Sequence, residues 1–170
     1  MKKMIGCLIA ASFLSLHIQA ESLVGIEGKY HGIKAKEAAL GSSFTDSSAA
    51  AALRIGAQTD EYRVLFLLDG IADSSYRGAT ISQYMLNGTL DYFIPTDYER
   101  FKPFIGFALG YANYKFGTSE DSGMAFGGEA GLLFPVHKKF DIDLFFRYMV
   151  TRMDQVDYYI QSGIGIQYKF

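Results

Sequence analysis

Tyr158-Tyr159-Ile160-Gln161-Ser162-Gly163-Ile164-Gly165-Ile166-Gln167-Tyr168-Lys169-Phe170 closes the sequence. Large apolar side chains fall on Ile160, Ile164, Ile166, Tyr168 and Phe170, and polar or minimal ones on Gln161, Gly163, Gly165, Gln167 and Lys169. Successive side chains of a strand point to opposite faces, so this segment has one greasy face and one polar or empty face. It is also long for a strand of a water-soluble protein. Two questions follow for the rest of the chain: whether other segments alternate in the same way, and which face looks inward.

Seven earlier segments read as strands: residues 23–32, 50–58, 62–71, 79–94, 101–116, 124–136 and 140–152, with 158–170 as the last. About eight strands is a number that small transmembrane barrels use. Thr59-Asp60-Glu61 and His137-Lys138-Lys139 read as tight turns, and Pro95 closes the fourth segment. The connections after the first, third, fifth and seventh segments are expected to be longer and polar: 33–49, 72–78, 117–123 and 153–156. Short turns at one end and longer loops at the other fit an up-and-down barrel with both termini at the short-turn end.

Parity separates charge from grease in every segment. Val24, Ile26, Gly28 and Tyr30 oppose Glu27 and Lys29, and Leu53 and Ile55 oppose Arg54 and Gln58. Tyr62, Val64, Phe66 and Leu68 oppose Arg63 and Asp69; Tyr84, Leu86, Leu90 and Tyr92 oppose Gln83, Asn87 and Asp91. Phe126, Ala130, Leu132 and Phe134 oppose Glu129, and Phe140, Ile142, Leu144, Phe146, Tyr148 and Val150 oppose Asp141, Asp143, Arg147 and Thr151. In the fifth segment Ile105, Phe107, Leu109 and Tyr111 oppose Gly106, Ala108, Gly110 and Ala112. A basic side chain facing lipid near the midplane costs about 2–4 kcal/mol, which accounts for a greasy face kept free of charge. Lys115 breaks the pattern at the loop end of its segment, where its ammonium can reach water.

A soluble barrel also alternates, with its greasy face inside. Bulk decides between the two. The greasy face carries the large aromatics, whereas the other is populated by Gly25, Gly56, Gly106, Ala108, Gly110, Gly127, Gly131, Gly163 and Gly165. Small residues suit a cramped interior, and a face in water would carry more Lys and Glu. Tyr62, Tyr92, Phe134, Phe140, Tyr168 and Phe170 fall near the short-turn end, and Tyr30, Tyr84, Tyr111, Tyr148 and Tyr158 near the loop end, as two interfacial girdles. The expected fold is all-β: an eight-stranded antiparallel up-and-down transmembrane β-barrel with a polar, side-chain-filled lumen.

The N-terminus reads as a secretory signal peptide over 1–20, leaving 21–170 as one barrel domain. Lys2 and Lys3 are its basic start, residues 5–16 its apolar stretch, and Ala20 precedes the expected cut. The apolar run is shorter than the roughly 20 residues a spanning helix needs. Cys7, the single cysteine, falls near the start of that run, so the mature domain is expected to have no thiol chemistry. Removing Lys2 and Lys3 leaves 14 basic against 18 acidic residues, which argues against a nucleic-acid partner.

Lys102-Pro103-Phe104-Ile105-Gly106-Phe107-Ala108-Leu109-Gly110-Tyr111-Ala112 resembles a strand of the small OmpA/OmpX-like outer-membrane barrels. Gly127-Gly128-Glu129-Ala130-Gly131 followed by Phe140-Asp141-Ile142-Asp143-Leu144-Phe145-Phe146-Arg147-Tyr148 resembles their next hairpin, and the closing strand with Phe170 resembles their terminal strand. The resemblance implies residence in the outer membrane of a Gram-negative bacterium, with both termini periplasmic. It implies contact with outer-membrane lipid and lipopolysaccharide, and delivery by the barrel-insertion machinery reading Tyr168 and Phe170. It does not extend to a peptidoglycan-binding domain. A monomer is expected.

Glu27, Lys29, Arg54, Arg63, Asp69, Asp91, Glu129, Asp141, Asp143 and Arg147 are expected to face the lumen as a paired structural network, because buried charge must be compensated and both signs are present. The competing expectation is a narrow ion or small-ligand conduit. No catalytic, cofactor-binding or metal-ligating set is expected. A lipid A-modifying enzyme would need nucleophile and base together; the nearest residues are His31, read as a loop-edge histidine, with Ser42 and Ser43 of the first loop. The expected function is structural or surface-interacting through the loops, adhesion to a host or cell-surface ligand included.

Overall fold

The computed structural model describes residues 20–36, 44–76, 79–98 and 100–170. The signal segment with Cys7, and Ser42 and Ser43, lie outside these residues. Eight antiparallel strands follow one another around a closed barrel: β1 (Glu21–Ala35), β2 (Phe44–Gln58), β3 (Tyr62–Tyr76), β4 (Ala79–Phe93), β5 (Lys102–Phe116), β6 (Ser119–His137), β7 (Phe140–Thr151) and β8 (Val156–Lys169). β8 pairs back onto β1 from Leu23↔Lys169 upward, and the Phe170 amide donates to the Ser22 carbonyl at the seam. Closure leaves no open edge in the lipid-facing band, the condition under which a sheet can sit in hydrocarbon.

Most strands run further than the sequence pattern suggests. Fifteen residues, the length of β1 to β5, rise roughly 50 Å and, tilted about 40°, span roughly 38 Å, against an apolar band of about 25 Å. The excess is at the loop end. Ser119 to Gly123, expected in a loop, belong to β6 and pair with β5 from Phe116↔Ser119 to Ala112↔Gly123. The connection shrinks to Gly117 and Thr118, with Gly117 at φ 58°, a left-handed conformation that favours glycine. Likewise Thr45 to Ala49 extend β2, and β3 continues past Ile71. Ser, Thr and Asp make these stretches look like loops, but a neighbouring strand that takes up their backbone groups overrides composition.

The side chains invert along the barrel axis. In the band, large apolar side chains point out: Ile26, Leu53, Leu68, Leu86, Leu90, Ile105, Phe107, Phe146, Ile164 and Ile166 are all exposed. Aromatic girdles bracket them, with Tyr62–Tyr92 and Phe140–Tyr168 ring pairs at 5.3 and 5.1 Å at the turn end and Tyr148–Tyr158 at 5.3 Å at the loop end. Beyond the loop-end tyrosines the order reverses. Ser47, Lys115, Glu120 and Ser122 point out, and Ile33, Ala35, Ile81, Met85, Tyr114, Met149, Met153, Val156 and Tyr159 form a buried apolar cluster inside. Lys115 therefore stands where polarity reverses.

One ladder stops early. β2 and β3 pair from Gln58↔Arg63 to Ala50↔Ile71 and then separate, although β2 continues to Phe44 and β3 to Tyr76. β3 carries a bulge between Ile71 and Ser74 at that level, where its register with β4 shifts by one residue.

Candidate functional site

The lumen at band level holds one connected polar network. All ten charged residues expected there are buried: Glu27, Lys29, Arg54, Arg63, Asp69, Asp91, Glu129, Asp141, Asp143 and Arg147. Lys29 Nζ lies 3.1 Å from Glu27 Oε2 and 2.8 Å from Asp69 Oδ1, whose other oxygen accepts from Asn87 Nδ2 at 2.8 Å. Arg54 reaches across the lumen from β2 to β7 and grips Asp143 with both terminal nitrogens, at 3.2 and 2.8 Å. Arg63, from β3, donates to the same carboxylate at 2.7 Å and through Nε to Asp91 at 2.8 Å. Arg147 donates to Glu129 at 2.5 Å and to Gln161 at 3.0 Å. Glu27 Oε1 links the groups, 3.5 Å from Arg54 and 3.7 Å from Arg147.

Neutral amides extend the network to the turn end. Gln167 accepts from Arg63 at 3.4 Å and donates to Gln58 at 2.9 Å and to Asp141 at 3.0 Å. Lys169 Nζ reaches Asp141 at 3.4 Å. Phe93, Phe104, Leu133 and Phe145 pack beneath, and the Arg63 guanidinium lies 4.6 Å from the centre of the Phe104 ring. Burying a charge is costly unless it is paired and hydrogen-bonded, and these charges are held in that way.

Glycine makes the room. A Cβ on Gly165 would lie 2.2 Å from Arg54 Nη1, and one on Gly106 would lie 2.2 Å from Asp91 Oδ1. Gly106 pairs with Asp91 on one side and Glu129 on the other, so the empty position between β4 and β6 leaves room for both acidic side chains in the lumen.

His31 is not at a loop edge. It sits on β1 inside the lumen, only 1% exposed, between Gln83 Oε1 at 3.1 Å and Gln161 Nε2 at 3.0 Å. One ring nitrogen donates and the other accepts, so neither is free to take a proton from a nucleophile. The sequence reading missed it because the run from β1 into the following polar stretch looked like a strand end. The amide partners Gln58, Gln83, Asn87, Gln161 and Gln167 share parity with the charges, and that parity was their visible signal. Among the described residues no group of three His, Cys, Asp or Glu is placed to hold a metal.

Near the loop end a cavity of about 10 Å³, room for a single water molecule, is lined by His31, Ile33, Asp46, Ser48, Ile71, Ala72, Ile81 and Gln83. It lies at the level where β2 and β3 separate, and Gln83 Nε2 has no hydrogen-bond partner.

The sequence profile of the outer membrane protein beta-barrel domain family matches residues 7–170. The solved structure of Neisserial surface protein A superposes with a TM-score of 0.74 at 16% identity, covering 89% of this chain and 99% of that one. Outer membrane protein H from Pseudomonas aeruginosa superposes at 0.58 with 22% identity, over 88% and 99% of the two chains. The attachment invasion locus protein of Yersinia pestis, solved with the heparin analogue sucrose octasulfate, superposes at 0.56 with 17% identity, over 90% and 100%. These identities carry the fold alone. No curated protein matches the sequence.

Proposed function

The chain belongs to the outer membrane protein beta-barrel domain family, and from that premise we propose that it is a surface-interaction protein: a closed barrel serving as a rigid stalk for its loop end. The barrel lies in the outer membrane, with the start of β1 and the end of β8 on the periplasmic side. The observation that carries the proposal is the filled lumen, in which Arg54 and Arg63 cross the interior to one carboxylate, Asp143. A lumen spanned by hydrogen-bonded side chains leaves little cross-section for an ion or solute, which weighs against the conduit. Engagement of both His31 nitrogens weighs against a lipid A-modifying enzyme.

The strands that project past the girdle are what such a stalk would present, and adhesion to a host or cell-surface ligand is the role we assign to them. Removing all of residues 34–48 would cut deep into paired β1 and β2, so a smaller test shortens the β5–β6 hairpin by joining Ala112 to Gly123 with a two-residue turn, which gives up the four pairs from Asn113↔Ser122 to Phe116↔Ser119 and the buried Tyr114. Heat-dependent gel mobility reports whether the barrel still folds. Cells carrying the folded variant should adhere less to matrix-coated plates and host cells; unchanged adherence would count against the proposal.

Tyr168 and Phe170 are proposed as the insertion signal. Phe170 is exposed on the outer face and stacks on Tyr168 at 6.3 Å. Phe170→Ala should lower outer-membrane levels more than an alanine at Thr118 in the hairpin turn, read by fractionation; equal levels would remove the assignment.

A further inference from the structure

The lumen holds more acid than base. Among the described residues, six buried carboxyl groups share it with four bases, and Lys169, which reaches Asp141 from the turn end, makes a fifth. His31 does not supply the missing charge. Arg147 donates to Gln161 Oε1, which turns the amide nitrogen of Gln161 toward His31 Nδ1. Nδ1 therefore accepts and Nε2 donates to Gln83, as in a neutral imidazole. An uncompensated charge in a closed, buried interior is costly, so the lumen calls for one more positive charge.

The strand register locates it. Asp91 on β4 and Glu129 on β6 both pair with Gly106 of β5, so no side chain stands between them. They are 0% and 5% exposed, and their carboxyl groups are within hydrogen-bond reach of each other. Asp91 Oδ2 accepts from Arg63 and Glu129 Oε2 from Arg147, whereas Asp91 Oδ1 meets no donor. Ionised carboxylates only accept, so a hydrogen bond between two of them needs a proton. Asp141 Oδ1 also lacks a donor, but the other oxygen of that group is held by Lys169, Gln58 and Gln167, which matches its charge.

We propose that Asp91 and Glu129 form a proton-binding site: one proton, carried on Asp91 Oδ1 and donated to Glu129, is retained at neutral pH as part of the folded lumen. Ionising both groups would set like charges against each other at close range, which is why such a pair keeps one proton between them. The charged groups around the pair are Arg63 from β3, Asp143 and Arg147 from β7 and Glu27 from β1, each engaged in an ion pair. In the unfolded chain both carboxyls are ionised at neutral pH. The folded state therefore binds one proton more, and its stability falls as pH rises. The site belongs to the barrel interior and is independent of what the loop end binds.

The test uses the full barrel in phosphatidylcholine vesicles. Infrared spectra of the wild type at neutral pH should show the C=O stretch of an un-ionised carboxyl group, shifted in heavy water. Asp91→Asn should abolish it, and Asp141→Asn should leave it in place. The amide of Asp91→Asn can donate to Glu129 in place of the proton, so this variant should fold; if it does not, Glu129→Gln should abolish the same band. Urea unfolding gives the second readout. Between about pH 5 and pH 7 the wild type should lose about tenfold in its folding equilibrium constant per pH unit relative to Asp91→Asn, the slope of one extra bound proton. Taking the difference removes the contributions of His31 and the other titrating groups.

No un-ionised carboxyl band in the wild type would overturn the proposal. So would a band that survives Asp91→Asn, or one that disappears in Asp141→Asn. Parallel pH profiles for the wild type and Asp91→Asn would reduce Asp91 to an ordinary ion pair with Arg63 and overturn it as well. A wild type with no such band, whose stability rises with added sodium or potassium chloride but not with an equally concentrated bulky organic cation, would assign the missing charge to a bound metal cation instead of a proton.

Discussion

The membrane band and the projecting end of this barrel are built from the same strands with opposite polarity. In the band, Leu86 and Leu90 of β4 point out while Asn87 and Asp91 point in; nearer the loop, Ser82, four residues from Leu86, points out and Ile81, six from Asn87, points in. The backbone does not change, so the solvent outside must account for the switch. Lipid rewards apolar groups on the outer face and obliges the interior to pair its own polar groups. Water rewards the reverse, so the projecting end closes over Met85, Tyr114, Met149 and Tyr159 like the core of a small soluble barrel.

The interior of the band should be the more fragile of the two. Asp143→Ala leaves Arg54 and Arg63 without their shared carboxylate. Breaking a buried pair of this kind costs about 3–5 kcal/mol, to be read from urea unfolding in bilayers. A loss too small to measure would mean that the lumen is wetter than the closed network implies. The outer face provides a paired comparison on one strand. Leu86→Lys places an ammonium against lipid and should cost about 2–4 kcal/mol. Ser82→Lys, four residues along the same face, should leave stability close to wild type. Similar losses at both positions would put the membrane boundary in the wrong place.

The alternation of each strand made the barrel legible, and with it the inward placement of Arg54, Arg63 and Asp143. Which charges meet was not legible, because Arg54 and Asp143 belong to strands on opposite sides of the lumen and share no local pattern. The projecting end was misread for a different reason. A single parity rule along a whole strand makes Lys115 an exception and leaves Ile81 and Met85 without distinction on the polar face. Read with a reversal in mind, those residues mark where lipid gives way to water. His31 was hidden by the same boundary: its neighbours looked like loop, while its partners Gln83 and Gln161 lie on β4 and β8.

A lumen bridged by side chains should not pass current. Purified protein inserted into a planar bilayer, with folding verified by heat-dependent gel mobility, should give no unitary conductance steps across the physiological voltage range. Reproducible steps from the folded wild-type barrel would show an open path past Arg54, Arg63 and Asp143 and contradict the closed stalk.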